Sequence, residues 1–460
     1  MNFLHVLEGL GSIVLFLLPG LGLAALLLGP RVRGALRLAC AWLLGLAWVA
    51  CGLYALSHLF SVPIRRTTVL LLVLPPALAR VAAAIRRRPS RARVRRGSRL
   101  LAIAGVAAGF MSLGVLAEAL TNPVTDWDGV MTWAAQARFV RAARSVDAPV
   151  LRGLNFFVSH PRYPLEMPLA EVAALETFSS DDDRVFRPLY AVFFPVALAL
   201  VFAAAAPLAG RRVASWAVLT SAVLPAFALS NGGAAGCYSD LPVACFGGAA
   251  LVLLARRAPS AGEVLAAGLL LAGAILSKTE GTAFALAVLA AAAFARGRRD
   301  WRRLVPAALL AAAAFGLFVS WRAGMSPRFD ENYGHVLRDP GAWRHAPRRL
   351  ASAVPALIRE MREPSAWGWF FFGAALVVLA GRKALSRRPV APCLLAAAGP
   401  VGIALADYAV HFDPPHLAGS TWTRFLIQAS VPLAAALAAC AREAARPRGL
   451  RAPQTTAASS

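Results

Sequence analysis

Two aspartates separated by one residue, Asp126 and Asp128, stand in TNPVTDWDGVMTW, directly after an apolar run that ends near residue 120. Trp127 and Trp133 flank them. A carboxylate beside hydrocarbon and indole loses hydration, which raises its pKa and makes it a better proton acceptor. Asp126 also reads as a helix cap, with the tryptophans as an interfacial belt. Asp128, inside the aromatic cluster, is the first candidate for a general base. Next, Arg138, Arg141 and Arg144 recur at helical spacing, a pattern that could hold a lipid phosphate or face head groups. In HPRYP at 160–164 the prolines impose an extended approach, so His160 and Tyr163 would be held without a flexible loop. Tyr238 and Asp240 close a glycine-rich stretch, NGGAAGCYSD. Lys278, with Glu280 beside it, joins two apolar segments in LSKTEG; all but two of the 48 basic residues are Arg, so a lysine there stands out. A strongly hydrated ammonium at that place needs a partner. Arg424 sits in STWTRF, before the last apolar run.

The elements that must position these groups are membrane helices. Of 460 residues, 58% are hydrophobic and 15% charged, against about a quarter charged in soluble domains, which excludes a soluble enzyme and a disordered chain. The net charge of +25 does not indicate a nucleic-acid partner, because the arginines fall in short runs between long apolar stretches. The six cysteines lack paired spacing and read as packing residues. Apolar segments run at about 7–29, 35–60, 67–85, 100–120, 188–209, 213–230, 241–255, 262–277, 282–295, 304–322, 366–380, 390–410 and 425–441. The expected fold is therefore an all-α polytopic membrane protein of about 13 transmembrane helices, with amphipathic helices in the first large outer loop, 121–187. Asp181–Asp183 are expected to cap the helix that follows.

Arginine marks every second connection: Arg31, Arg33 and Arg37, the run at 86–99, Arg211 and Arg212, Arg256 and Arg257, 296–303, 381–388, and the stretch after Arg442. By the positive-inside rule these are cytoplasmic, which puts the loops at 121–187, 323–365 and 411–424 outside. All seven histidines fall on or beside that outer face. The chain divides into 1–99, a three-helix segment with a basic cytoplasmic linker; 100–322, a membrane module; 323–365, an outer loop carrying Asp330, Glu331, His335 and His345; 366–445, C-terminal helices; and 446–460, a disordered tail. His411, Asp413 and His416 in HFDPPH could be metal ligands, but the prolines break any helical face and a loop is favoured.

An aspartate in the first large outer loop, helices lying along the membrane, a His-Pro element and a ladder of short spans resemble the GT-C superfamily of membrane glycosyltransferases. The likeness is closest to the branch of protein O-mannosyltransferases and aminoarabinose transferases, and it covers about 100–322. DWD stands where that branch carries its catalytic Asp, without the usual Asp-Glu pair. HPRYP stands in place of a longer His-Pro-Pro-Leu element. The resemblance implies a polyprenyl-phosphate sugar donor; a lipid, glycan or protein acceptor; and transfer on the periplasmic side of the bacterial inner membrane. It implies no metal, a divalent ion being needed only for a pyrophosphate donor. In that scheme Asp128, or Asp126, deprotonates the acceptor for inverting transfer. Lys278, Arg424 and Arg138 would meet the donor phosphate, and His160, Tyr163, Tyr238, Asp240 and Glu280 would line the substrate site. Lys278 could equally pair with Glu280 or Asp240, and Arg424 could snorkel. An O-antigen polymerase or ligase is the rival enzyme. A transporter would show charges at mid-membrane and broken helices, which the sequence pattern does not display.

Overall fold

The computed structural model describes residues 3–86, 99–153, 160–229, 232–297, 300–325 and 338–446. The arginine run at 86–99, except its end residues, the tail, and Asp330, Glu331 and His335 lie outside the described residues. What is described is helical, with no strand among the described residues.

Each of the thirteen apolar segments carries a helix, but they are unequal. Seven are long and apolar enough to cross a bilayer among the described residues: Phe3–Leu27, Gly34–Phe60, Arg99–Thr121, Asp183–Ala209, Thr279–Arg296, Trp301–Ala323 and Ala391–Val410. An eighth span results if Pro414–Gln428 and Ser430–Ala444, bent by 69° at Ala429, count together. The other five differ. Arg66–Arg86 has the length of a span, 21 residues, with Pro75 and Pro76 inside it, and the remaining four are short. Leu224 and Pro225 end Arg211–Val223 after 13 residues. Asp240–Leu254, Ala261–Ser277 and Phe370–Gly381 have only 15, 17 and 12 residues, short of the roughly 20 a spanning helix needs.

Small residues let the helices touch backbone to backbone, which in an apolar setting replaces the hydrophobic drive. A Cβ on Gly20 would lie 1.8 Å from the Ala41 carbonyl oxygen, and one on Gly45 would lie 1.9 Å from that of Phe16. The first two helices are thereby locked face to face. The stretch 121–187 departs from expectation. Helix Glu166–Phe178 presents no exposed polar face over most of its length; Glu166 through Leu175 are all buried. Its acids are accommodated inside: Tyr190 Oη donates to Glu171 Oε1 at 2.5 Å, and the Cys51 thiol approaches Glu166 Oε2 at 3.7 Å. The preceding amphipathic helix, Ala135–Ala143, buries one side, and its arginines turn to acids. Arg141 meets Glu176 and Asp181, and Arg138 meets Asp183 at 2.6 Å. Asp182 caps the turn before the long helix, accepting from the Arg184 N–H at 2.9 Å, as the sequence led us to expect.

Candidate functional site

The residues singled out by type and position converge on one cluster assembled from four separate stretches. Lys278 is the single extended residue between Ala261–Ser277 and Thr279–Arg296. The chain folds back so tightly there that a Cβ on Gly281 would lie 1.8 Å from the Ala274 carbonyl oxygen, which is why LSKTEG needs its glycine. Asp240 opens helix Asp240–Leu254. Arg424 and Gln428 lie one turn apart in Pro414–Gln428, before the 69° bend. Gly232, in the left-handed region at φ +92°, has Arg424 Cγ and Asp240 Cβ within 3.4 Å of where its own Cβ would stand. Its missing side chain makes the room.

Asp240 is fully buried and is the hub. Its Oδ1 accepts from Lys278 Nζ at 2.8 Å and from Gln428 Nε2 at 2.6 Å, and its Oδ2 from Arg424 Nε at 3.0 Å. Lys278 also meets Glu280 at 3.2 Å, so both pairings open to it are made. Arg424 reaches on through Nη1 to Asp128 Oδ2 at 2.9 Å, and its guanidinium lies over the Tyr238 ring at 4.8 Å. The Asp128 backbone N–H points at the Tyr238 hydroxyl, 3.4 Å away. Two cations and three carboxylates thus share one site. Such a cluster holds together because each charge is met by an opposite one and by hydrogen bonds; removing Asp240, Lys278 or Arg424 leaves a charge uncompensated.

Asp126 differs from its neighbour. It is half-buried, accepts no capping hydrogen bond among the described residues, and burial pushes its carboxyl above the ordinary value near 3.8, with Arg187 opposing the rise. Both aspartates act on Tyr238, whose hydroxyl is pushed up to about 12, first by burial and then by Asp128. The chain after Asp128 runs as a π-helix, Gly129–Ala134, a rare form that recurs at functional sites. Trp127 is 68% exposed, whereas Trp133 is buried and stacks on Tyr163 at 5.7 Å; Tyr163 in turn stacks on His160 at 4.5 Å. His160 takes φ +56°, and Gln136 Nε2 donates to its carbonyl at 3.0 Å. The HPRYP element is therefore held as a turn, closed by the Tyr163 N–H donating to the His160 carbonyl at 3.1 Å, and not in the extended form expected of it. Tyr163 lies within electrostatic reach of Arg424.

Arg138 is not brought to the cluster; it is half-exposed and bound to Asp183. HFDPPH begins a helix: Asp413 accepts from the His416 N–H at 3.3 Å, while His411 Nδ1 accepts from the Asp413 N–H at 3.1 Å. Beside Glu280 opens a cavity of about 500 Å³. Leu286, Phe315, Phe318 and Ile403 form its apolar wall; Arg162, Arg322, Glu280 and Asp407 are its charged lining. Nε and Nη1 of Arg162 are buried with no acceptor among the described residues.

Several of these groups escaped the sequence reading. Asp407, an acid within ALADYAV, and Gln428, a lone amide in FLIQAS, carry a usable signal, a polar residue inside an apolar run. Arg187 carried none. It is buried and binds Glu118 at 2.7 Å and the carbonyls of Asn122 and Ala235 at 2.7 and 3.1 Å, so it ties the end of Arg99–Thr121 to the turn that presents Tyr238. No protein-family model, no curated protein and no solved structure matches the chain.

Proposed function

We propose that the chain is a polytopic membrane glycosyltransferase that moves a sugar from a polyprenyl-phosphate donor to an acceptor on the periplasmic face of the inner membrane. In this reading the shorter helices complete a set of about 13 membrane segments, and the loop at 121–187 lies outside. The observation that carries it is the meeting of Asp128, Tyr238, Asp240, Lys278, Glu280 and Arg424 in one cluster, next to a cavity with an apolar wall and a charged lining of two arginines and two acids. The arginines of that lining suit an anionic head, and the apolar wall suits a hydrocarbon chain.

In this reading the two aspartates divide the labour. Asp128 has an oxygen occupied by Arg424. Asp126 has no such partner among the described residues, and its carboxyl is raised. Asp126 therefore takes the acceptor proton, and Asp128 aims Arg424. The acceptor oxygen attacks the anomeric carbon with inversion, and the C–O bond to the phosphate breaks. The departing phosphate's charge is met by donors that Arg424 and Lys278 have left over from Asp240, Asp128 and Glu280, and by Arg162. Lys and Arg suffice for a monophosphate, so no metal is required.

The test is transfer in proteoliposomes from a polyprenyl-monophosphate sugar to envelope acceptors, with EDTA present. Product formation supports the reading; donor turnover that needs Mg²⁺ or Mn²⁺ indicates a pyrophosphate donor instead. One observation favours a second reading, a transporter: contrary to the sequence pattern, a helix pair bends by 69° at Ala429, and buried charges gather near that bend. Movement of intact donor across the bilayer, with no sugar released, would select it.

A further inference from the structure

Away from that cluster, three side chains from distant parts of the chain meet in a line. His58, in the last turn of Gly34–Phe60, has Nδ1 3.2 Å from both carboxylate oxygens of Asp147. Its Nε2 stands 3.2 Å from Oγ of Ser320, in helix Val305–Ala323. The residues next to each member are pinned. The Val146 N–H donates to Ser57 Oγ at 3.1 Å, Trp321 Nε1 donates to the Val146 carbonyl at 2.9 Å, and Tyr54 meets Trp321 edge to face at 5.8 Å.

Carboxylate, imidazole and hydroxyl in this order are what an activated serine needs. Asp147 holds the Nδ1–H tautomer and leaves the Nε2 lone pair facing Ser320. The Ser320 proton has two acceptors in reach, the Leu317 carbonyl at 2.8 Å and His58. Ser320 is exposed, so a substrate can approach it. Arg152, bound to Asp147, lies against Gly324, four residues on from Ser320 and so on the same helix face, where it offers a cation to an oxyanion. Leu59, Phe60 and Val319 next to these residues are exposed and apolar.

The geometry points to a second, hydrolytic site: Ser320 as nucleophile, His58 as general base and Asp147 as its orienting partner, acting on a carboxylic ester with a long acyl chain at the membrane surface. Ser320 Oγ attacks the carbonyl carbon as its proton passes to His58 Nε2. The ester C–O bond breaks, and the leaving alcohol takes that proton. Water, deprotonated by His58, then releases the acyl group as a carboxylic acid and restores Ser320. The site uses no residue of the cluster around Asp240, so it stands or falls apart from the glycosyltransferase reading.

The experiment treats the purified full-length protein in detergent with a fluorophosphonate probe, locates the adduct by peptide mass spectrometry, and follows p-nitrophenyl octanoate hydrolysis. The expected result is one adduct, on Ser320, absent in Ser320→Ala, with labelling and hydrolysis slowed about 100-fold or more in His58→Gln and in Asp147→Asn. Thermal unfolding of Ser320→Ala, an exposed substitution, should match wild type. No adduct on folded wild-type protein, an adduct elsewhere only, or equal rates in whichever of the two His58 and Asp147 variants folds would overturn the proposal and leave the three residues as a clamp between helices.

Discussion

One guanidinium joins the stretch after Arg99–Thr121 to the buried charge cluster: Arg424 binds Asp128 through Nη1 at 2.9 Å while its Nε holds the buried Asp240 at 3.0 Å. The loop aspartate is thus tied directly to the charge hub. A change at either end should be felt at the other.

Asp240→Asn removes the one carboxylate that Lys278, Arg424 and Gln428 share. Breaking a buried ion pair by deleting one partner costs about 3–5 kcal/mol. The expected outcome is a large loss of thermal stability in detergent and a low yield of folded protein. Unchanged unfolding would mean that water reaches Lys278 and Arg424.

Gly281→Ala forces a Cβ to within 1.8 Å of the Ala274 carbonyl oxygen, a backbone atom that cannot rotate away. The fold-back carrying Lys278 must open, at a cost of about 1–3 kcal/mol or more. Gly105→Ala, with nothing within 4 Å, is the control and should be neutral or slightly stabilising. The comparison is read from the two unfolding temperatures.

Glu171 gives stability a pH dependence. Burial pushes its carboxyl from an ordinary value near 4.5 up to about 8, although the Tyr190 hydrogen bond opposes this. Between those values the folded state holds a proton that the unfolded state has lost, so this contribution to stability falls as pH rises through the window and levels off above about 8. Glu171→Gln carries no ionisable proton and should flatten that slope. A wild-type unfolding temperature that rises over the same pH range in step with Glu171→Gln would contradict this.

A reporter fused after about residue 150 should be periplasmic and one after about residue 92 cytoplasmic, if arginine sets the orientation. The reverse result would put Asp126 and Asp128 on the side away from a periplasmic acceptor.

Much of the architecture was legible because a membrane imposes simple rules. Apolar length located a helix in each of the thirteen runs, though not Ala346–Met361 or Pro414–Gln428, which fall in stretches read as loops. Residue types foreign to their surroundings, Lys278 in an arginine-rich chain and Asp240 at the mouth of an apolar run, located the cluster. What was not legible depended on how segments pack. Helix Glu166–Phe178 reads as amphipathic, yet its acids turn inward because Tyr190 and Cys51, remote in sequence, meet them. Arg138 was assigned to the cluster by nearness in sequence to Asp128, but its helix points it at Asp183 instead. The bend at Ala429 does carry a local mark, Pro432 in the first turn of Ser430–Ala444, which the continuous apolar run concealed. Asp126 and Asp128 differ only by where Arg424 lands, and no local pattern encodes that.

The division between those aspartates is the most direct test. Sugar transfer from a polyprenyl-phosphate donor should be measured for purified Asp126→Asn and Asp128→Asn as a function of pH, together with donor binding. With Asp126 as the base, Asp126→Asn should lose about 10²–10⁴-fold in turnover with donor binding kept. Wild type should lose activity as pH falls through a carboxyl value above the ordinary aspartate range. Asp128→Asn should weaken donor binding as well as turnover, because Arg424 is no longer aimed. Full turnover in both variants would contradict the account and remove catalysis from this loop; a dead Asp128→Asn with intact donor binding beside an active Asp126→Asn would exchange their roles.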